Sequence, residues 1–329
     1  MIQLVTGASG FVGSHLVQHL CSLGKTVRAL VRRPEAKVGL RNKGVLAVSG
    51  DVCDRTRLCQ VVRGADVIYH CAAASSLCSD DEIRRTNLDG TRNLLHAVRT
   101  EGAGRIVFIS SLNALGSTSY ENATESAPVI RSGEVHADVK IDSEQLALQF
   151  GDTHDIEVTI LRPGLIYGPG ERYIPKLAKS VQNGTFRFIG SRENVIPLIY
   201  VHDMVRLMVA AACTGTARGK IYHATDGSRT TIGDLVDTLA DLNGSARPRH
   251  LLPYFVPRLA CSMFEQFGKT SPISRTALRF LGTSRHVNMD LAKRELGFQP
   301  YVNLQEGLHQ TVHWMQQEHL TPETFRRAA

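Results

Sequence analysis

Three glycines at fixed spacing carry the first chemistry the chain offers. Gly7, Gly10 and Gly13 follow the apolar run Ile2 to Val5 and straddle the start of a helical pattern at about Phe11. Gly7 permits a tight turn, Gly10 lets backbone approach a pyrophosphate, and Gly13 lets the helix pack closely on the strand. Free N–H groups and the positive dipole end of that helix favour an anion. The spacing is GxxGxxG rather than the GxGxxG of the commoner dinucleotide fingerprint, and glycine turns of this kind are frequent. Its place directly after an N-terminal strand and before a helix makes it a nucleotide-cofactor site.

The elements that must position such a site alternate along the first 110 residues. Strands are expected at Thr26 to Val31, about Val45 to Ser49, Val67 to Cys71 and Arg105 to Ser110. Between them lie a helix ending near Gly24, a short helix capped by Asp54 and stopping at Gly64, and a long helix from Asp80 to about Thr100. This alternation predicts an α/β fold built on a doubly wound parallel sheet. A polar stretch from Gly116 to Gly133 reads as an active-site loop, followed by a helix over about 134–149 and a strand from Glu157 to Leu161. After Pro163 glycines and prolines mark irregular structure. Residues 195–209 return to strand and helix, 220–224 to strand, and the remainder reads as mostly helical. The expected division is a Rossmann-type cofactor domain over 1–165, to which 195–224 returns, and a smaller substrate lobe from 166–194 and 225–329. Ligands of such sheets sit outside the carboxyl ends of the strands.

Composition removes several alternatives. The 329 residues are 43% hydrophobic and 21% charged, values of a soluble globular protein. There is no apolar run of about 18 residues, so no integral membrane segment is expected, and the N-terminus enters the fold without a signal peptide. Seven cysteines form no CxxC pair, which reads as reduced thiols in a cytoplasmic protein without a metal site. The net charge of +7 is spread over scattered basic residues with no nucleic-acid recognition motif. One local cluster stands out: Arg28, Arg32, Arg33, Lys37, Arg41 and Lys43.

Further stretches fall in order along the chain. They are Gly50-Asp51-Val52, His70-Cys71-Ala72-Ala73, Asn87-Leu88-Asp89-Gly90-Thr91, Ser110-Ser111, Arg162-Pro163 through Tyr167-Gly168-Pro169-Gly170, Phe188-Ile189-Gly190 and Tyr200-Val201. With the glycine turn they resemble the extended short-chain dehydrogenase/reductase (NAD-dependent epimerase/dehydratase) superfamily, and within it the 3β-hydroxysteroid dehydrogenase-like branch. The resemblance runs to about Trp314.

The resemblance implies a role for each matching position. Gly7, Ser9, Gly10, Phe11, Val12 and Gly13 cradle the pyrophosphate, while Asp51 and Val52 contact the adenine. The backbone of Cys71, Ala72 and Ala73 borders the ribose and nicotinamide side, with Ser110 beside it. Lys140 bonds the nicotinamide ribose, Pro163, Gly164, Leu165 and Ile166 line the nicotinamide pocket, and Ser111 orients the substrate. Asn113, Tyr167, Arg172 and Tyr173 are candidate substrate contacts, and a homodimer through helices around 80–100 and 134–150 follows by analogy. NAD-binding relatives place an acidic residue after the second strand, whereas an arginine there suits a 2′-phosphate. This chain has Arg32 and Arg33 and no carboxylate before Glu35. NADP(H) is therefore favoured, with NAD(H) as the alternative.

One position departs from the pattern. The superfamily pairs Tyr and Lys as YxxxK, an i,i+4 spacing that puts both on one helix face. Here Lys140 is present, but the tyrosine position, 25 residues after Ser111, holds His136. Three readings stay open. His136 replaces the tyrosine as acid/base. Another group, such as Tyr167, Tyr173 or a water held by Ser111, supplies the proton. Or the fold keeps its cofactor for non-redox chemistry or for binding alone.

The remaining candidates read more plainly. His70 is expected to be packed or backbone-bonded, Asp203 to cap a helix, and Asn87 to serve either as a structural side chain near the site or as a cap. The apolar segment Leu251 to Phe264 is expected to pack as core or dimer contact, or else to cover a hydrophobic substrate. A sterol-like, polyketide-like or aryl alcohol or ketone fits such a lobe better than a nucleotide sugar, which wants more basic contacts for its diphosphate.

Overall fold

The computed structural model describes residues 1–33, 45–256, 278 and 281–318. In the first part of the chain the strands are β1 (Ile2–Thr6), β2 (Thr26–Val31), β3 (Val45–Ser49), β4 (Val67–His70) and β5 (Arg105–Ile109). The helices between them are α1 (Phe11–Ser22), α2 (Arg55–Val62), α3 (Asp80–Ile83) and α4 (Gly90–Glu101). Then come β6 (Tyr120–Ala123), α5 (Val135–His154), β7 (Val158–Pro163), β8 (Leu165–Tyr167), α6 (Tyr173–Gln182), β9 (Phe188–Ile189) and β10 (Leu198–Tyr200). The chain continues through α7 (Val201–Cys213), β11 (Ile221–Ala224), α8 (Ile232–Leu242), β12 (Leu251–Leu252), β13 (Arg285–Val287), α9 (Asp290–Leu296) and α10 (Leu304–Gln317).

Seven strands form one sheet in the order β11-β7-β5-β4-β1-β2-β3, and every pairing in it is parallel. Successive residues of each strand point to opposite faces, so a two-sided sheet needs apolar residues at every position. Val5, Tyr69, Val107 and Leu161 face α1 and α7, packing on Leu16, Leu20, Met204 and Met208. Their neighbours Leu4, Ile68, Ile106 and Ile160 face α2, α4 and α5, packing on Leu58, Leu94, Val98 and Ala147. The order reverses between β1 and β4, and that switch point opens a crevice at the carboxyl ends of both strands. A third apolar cluster joins α6, α8 and α10 to Phe186, Phe188 and Ile196.

Several boundaries differ from those read in the sequence. The helix expected from Asp80 contains one π turn, Arg84–Asp89, between α3 and α4. Helix α5 runs on to His154, because Asp155 at φ 58 supplies its left-handed stop. The stretch from Gly116 to Gly133 is more than a loop: β6 within it pairs in parallel with β13. Of the apolar segment Leu251 to Phe264 only the part up to Val256 is described, and Lys37, Arg41 and Lys43 lie outside the described residues. No described helix is long and apolar enough to cross a membrane.

Candidate active site

The glycine turn is built to the limit of backbone contact. Gly7 has φ +66, and a Cβ there would lie 2.7 Å from the Ala72 nitrogen. A Cβ on Gly13 would lie 2.2 Å from the Gly7 carbonyl oxygen. Gly10 donates its N–H to that same oxygen at 2.9 Å and stands as the N-cap of α1 with no side-chain capping bond. The helix start therefore offers backbone N–H groups to a ligand. Beside it runs a groove of about 340 Å³, lined by Gly7, Ser9, Gly10, Leu30, Arg32, Arg33, Gly50, Val52, Cys71, Ala72, Ala73 and Thr86. Arg32 and Arg33 are exposed on it, and neither is ion-paired among the described residues. Backbone donors, exposed guanidinium groups and glycines that side chains would block fit a dinucleotide phosphate ligand.

The second wall of the groove is fixed by a chain of buried hydrogen bonds. Thr91 Oγ1 donates to the Asn87 carbonyl at 2.6 Å, so towards His70 Nε2, 3.2 Å away, it accepts. His70 then carries its proton on Nε2, and its Nδ1 accepts from Thr6 Oγ1 at 2.9 Å. Thr6 Oγ1 in turn accepts the Ala72 N–H at 3.2 Å. Burial holds the His70 imidazole far down, at about 3, in keeping with a neutral ring. Asn87, in the π turn, clamps Ala74 from both sides: Oδ1 accepts its N–H at 2.7 Å and Nδ2 donates to its carbonyl at 3.2 Å. Segment 71–74 is thus held at both ends. One oxygen of Asp51 accepts the Cys53 N–H at 2.9 Å, which ties that turn rather than pointing the carboxylate wholly at the groove.

At the carboxyl end of β5 the chemical side chains converge. Ser111 heads a 3-10 turn, its Oγ accepting the Asn113 N–H at 3.1 Å. Ser110 is buried, and its Oγ finds no partner among the described residues. Lys140 reaches across from α5: Nζ donates to the Ile109 carbonyl at 2.9 Å and lies 5.4 Å from the Phe108 ring centroid. Burial lowers its ammonium to about 8, against a raising contribution from Glu144. His136 is half-buried one turn earlier, lowered to about 4 by desolvation and then by the Lys140 charge.

The candidate substrate residues divide. Asn113 is half-buried, and its Oδ1 accepts from Arg285 Nη1 at 3.4 Å. Arg172 is exposed, and Glu171 beside it accepts the N–H groups of Tyr173 and Ile174 at the start of α6. Tyr173, Phe11, Leu165 and Ile166 lie half-buried against the third apolar cluster, while Pro163 and Gly164 join β7 to β8 under Pro197. Tyr167 is placed in the core and not on the groove: only 1% exposed, it packs edge-on to Tyr200 inside that cluster. Asp203 is a correction, since its carboxylate accepts the N–H groups of Tyr301 and Val302 at 3.0 Å instead of capping its own helix. The Thr6–His70–Thr91 chain, Thr86 and Arg285 carry no local signature, because strand pairing and a π turn bring them to the site. Among the described residues no group of three or more His, Cys, Asp or Glu is placed to hold a metal ion.

Comparison with known proteins agrees with this geometry. The family model described as "NAD dependent epimerase/dehydratase family" matches residues 3–225. The chain is 27% identical to 3beta-hydroxysteroid-dehydrogenase/decarboxylase isoform 2 of Arabidopsis thaliana over 94% of its own length, and spans 61% of that relative. It is 28% identical to a 4-hydroxy-2-methyl-3-oxo-4-farnesyl-3,4-dihydroquinoline-1-oxide ketoreductase of Stigmatella aurantiaca, over 94% of this chain and 95% of the relative. A dTDP-glucose 4,6-dehydratase from Streptomyces venezuelae, solved with NAD bound, superposes with a TM-score of 0.80 at 27% identity, over 97% of this chain and 98% of that one. The chain belongs to the NAD dependent epimerase/dehydratase family and is an enzyme of the extended short-chain dehydrogenase/reductase type.

Proposed function

We propose that the protein is a nicotinamide-dependent oxidoreductase acting at a secondary alcohol or ketone of a hydrophobic small molecule, sterol-, polyketide- or aryl-like, with NADP(H) favoured over NAD(H). The observation that carries this reading is the meeting of Lys140 with the Ile109 carbonyl, two residues before Ser111 and one turn after His136. That contact gathers three polar side chains at the carboxyl end of β5, where ligands of such sheets bind. Arg32 and Arg33, exposed on the groove, support the phosphorylated coenzyme. When bound, the nicotinamide supplies or accepts a hydride.

The chain's own residues do the rest. Ser111 offers its hydroxyl to the substrate oxygen and so fixes the reacting carbon. Lys140 bonds the ribose and keeps a positive charge near that oxygen. His136, neutral at pH 7, accepts the alcohol proton on its free ring nitrogen as hydride leaves the carbon, and the imidazolium so formed returns that proton in the reverse direction. The hydrophobic character of the substrate rests on the ketoreductase and hydroxysteroid dehydrogenase relatives. A homodimer through α4 and α5 follows by family analogy.

A second reading has an observation of its own. An imidazole held near 4 is a weak proton donor compared with an imidazolium, which favours non-redox chemistry (epimerisation, dehydration or rearrangement) or silent cofactor binding. Nicotinamide absorbance distinguishes the two, followed with NADPH and NADH against hydrophobic ketones in wild type, His136→Ala and His136→Tyr. Turnover by wild type that His136→Ala abolishes, with coenzyme still bound, supports the first reading. Turnover by His136→Tyr alone overturns it in favour of the second.

A further inference from the structure

Behind Lys140 the fold buries an ion pair between α5 and β7. The side chains of Arg162 and Glu144 are 2% and 3% exposed. Arg162 Nε donates to both carboxylate oxygens, at 3.0 and 3.1 Å, and Nη2 donates to Oε2 at 2.6 Å. Such a pair seldom stabilises a fold more than apolar packing would, because desolvation offsets the Coulomb gain. What it does instead is set a charge at a fixed place. Glu144 stands four residues after Lys140, so both lie on one face of the helix.

Lys140 itself is 7% exposed, and its two named contacts, the Ile109 carbonyl and the Phe108 ring, carry no net charge. The ionisable groups around it are few. On α5 they are His136 and Glu144; at the end of β4, His70 and Cys71; on β7, Arg162. His223 on β11 stands opposite Arg162 in the strand register, and Glu125 approaches both from the segment after β6. The imidazoles are held neutral, and burial pushes the Cys71 thiol up to about 12. Glu144 is the anion of this set next to Lys140.

We propose that Glu144 is the counter-ion that keeps the buried Lys140 protonated, and that Arg162 acts through it by pinning its carboxylate with a two-pronged guanidinium contact. Both are positioning residues for Lys140, and neither touches substrate or coenzyme. Without the carboxylate, desolvation acts on the ammonium unopposed, and Lys140 sheds its proton within the neutral range. Without Arg162 the carboxylate loses the two-pronged contact that fixes its place, and the ammonium loses the counter-charge held there. The inference deepens the reading of Lys140 given above, yet it is tested without coenzyme or substrate, so it stands or falls apart from the reaction.

The test is an NMR titration of the unliganded protein labelled with 13C-lysine, the Lys140 signal being the one lost in Lys140→Met. Glu144→Gln should lower its midpoint by at least about one pH unit, a tenfold loss of proton affinity. The double variant Glu144→Gln/Arg162→Gln leaves no unpaired buried guanidinium and should show a fall of the same sign if the single variant does not fold. Glu144→Asp, retaining the anion, should recover most of the wild-type midpoint. A folded Glu144→Gln or double variant whose Lys140 midpoint matches wild type overturns the proposal, as does a Glu144→Asp protein no better than Glu144→Gln.

Discussion

His136 and Lys140 stand one turn apart on the same face of α5, and the ammonium adds to burial in holding the imidazole at about 4. His136 is therefore an uncharged ring at neutral pH. A phenol and a neutral imidazole share one property, a hydrogen-bond donor without net charge. Under the proposed reading, in which His136 stands in for the tyrosine, that donor is kept beside Lys140 while the acid strength behind it changes.

The first prediction concerns acid stability. His70, His136 and His223 are lowered from 6.5 to about 3, 4 and 4, in each case chiefly by burial. As pH falls below about 6.5 the unfolded chain takes up these protons and the folded chain refuses them. The stability gained from keeping the rings neutral is thus fully present above about 6.5 and is lost as pH falls towards 4. Urea midpoints should decline steadily as pH falls from 6.5 to 4. His70→Gln should make that decline shallower by up to about 1.4 kcal/mol per pH unit, one proton's worth. The same slope in the variant would mean that His70 accepts its proton in the fold.

The second concerns the coenzyme. Arg32 is exposed on the groove and free of carboxylates among the described residues, so its charge is available to a 2′-phosphate. Arg32→Ala should weaken NADPH binding by about 10- to 100-fold, the loss of one contact worth ~1.5–3 kcal/mol, and leave NADH nearly unchanged. Fluorescence titration of both coenzymes decides it. Equal losses for the two would assign Arg32 to the shared part of the dinucleotide.

How much of this was legible in the sequence follows from how local each cause is. The glycine turn, the Asp54 cap and the two-sided strands are set by neighbours within a few residues, and they fall where the sequence puts them. Ser111, His136 and Lys140, placed by the resemblance, fall at a strand end and on one helix face, because both are local geometry. The burial of Tyr167 was not legible, because its motif gives the backbone path but not the side of β8 on which Gly307 and Tyr200 leave room for a ring. The His70 tautomer and the Asn87 clamp depend on a π turn, whose extra residue per turn leaves no mark in the hydrophobic pattern.

The third prediction separates folding from binding within the turn. An alanine Cβ at Gly13 would stand 2.2 Å from a carbonyl oxygen, whereas at Gly10 the nearest atom is that same oxygen at 3.1 Å. Gly10 also has φ −81, which alanine adopts freely. Gly13→Ala should cost about 1–3 kcal/mol of stability by overpacking, and Gly10→Ala much less. Both should lose coenzyme affinity, Gly10→Ala because its methyl group occupies the approach to the phosphates. Thermal melts with and without NADPH would read both effects. A Gly10→Ala protein that binds as wild type does would move the pyrophosphate away from the turn.

The fourth tests the place of Tyr167. Its hydroxyl is buried with no hydrogen-bond partner among the described residues, and a Cβ built on Gly307 would lie 2.5 Å from it. An unmet buried hydroxyl costs ~1–3 kcal/mol, part of which returns when the oxygen is removed. Tyr167→Phe should therefore melt at or above the wild-type temperature, with kcat and KM unchanged. Tyr173→Phe, altering a ring at the boundary of the lobe beside Ile166, should change KM instead. A raised KM in Tyr167→Phe would mean that the ring leaves the core when substrate binds, and the tyrosine would return to the substrate site.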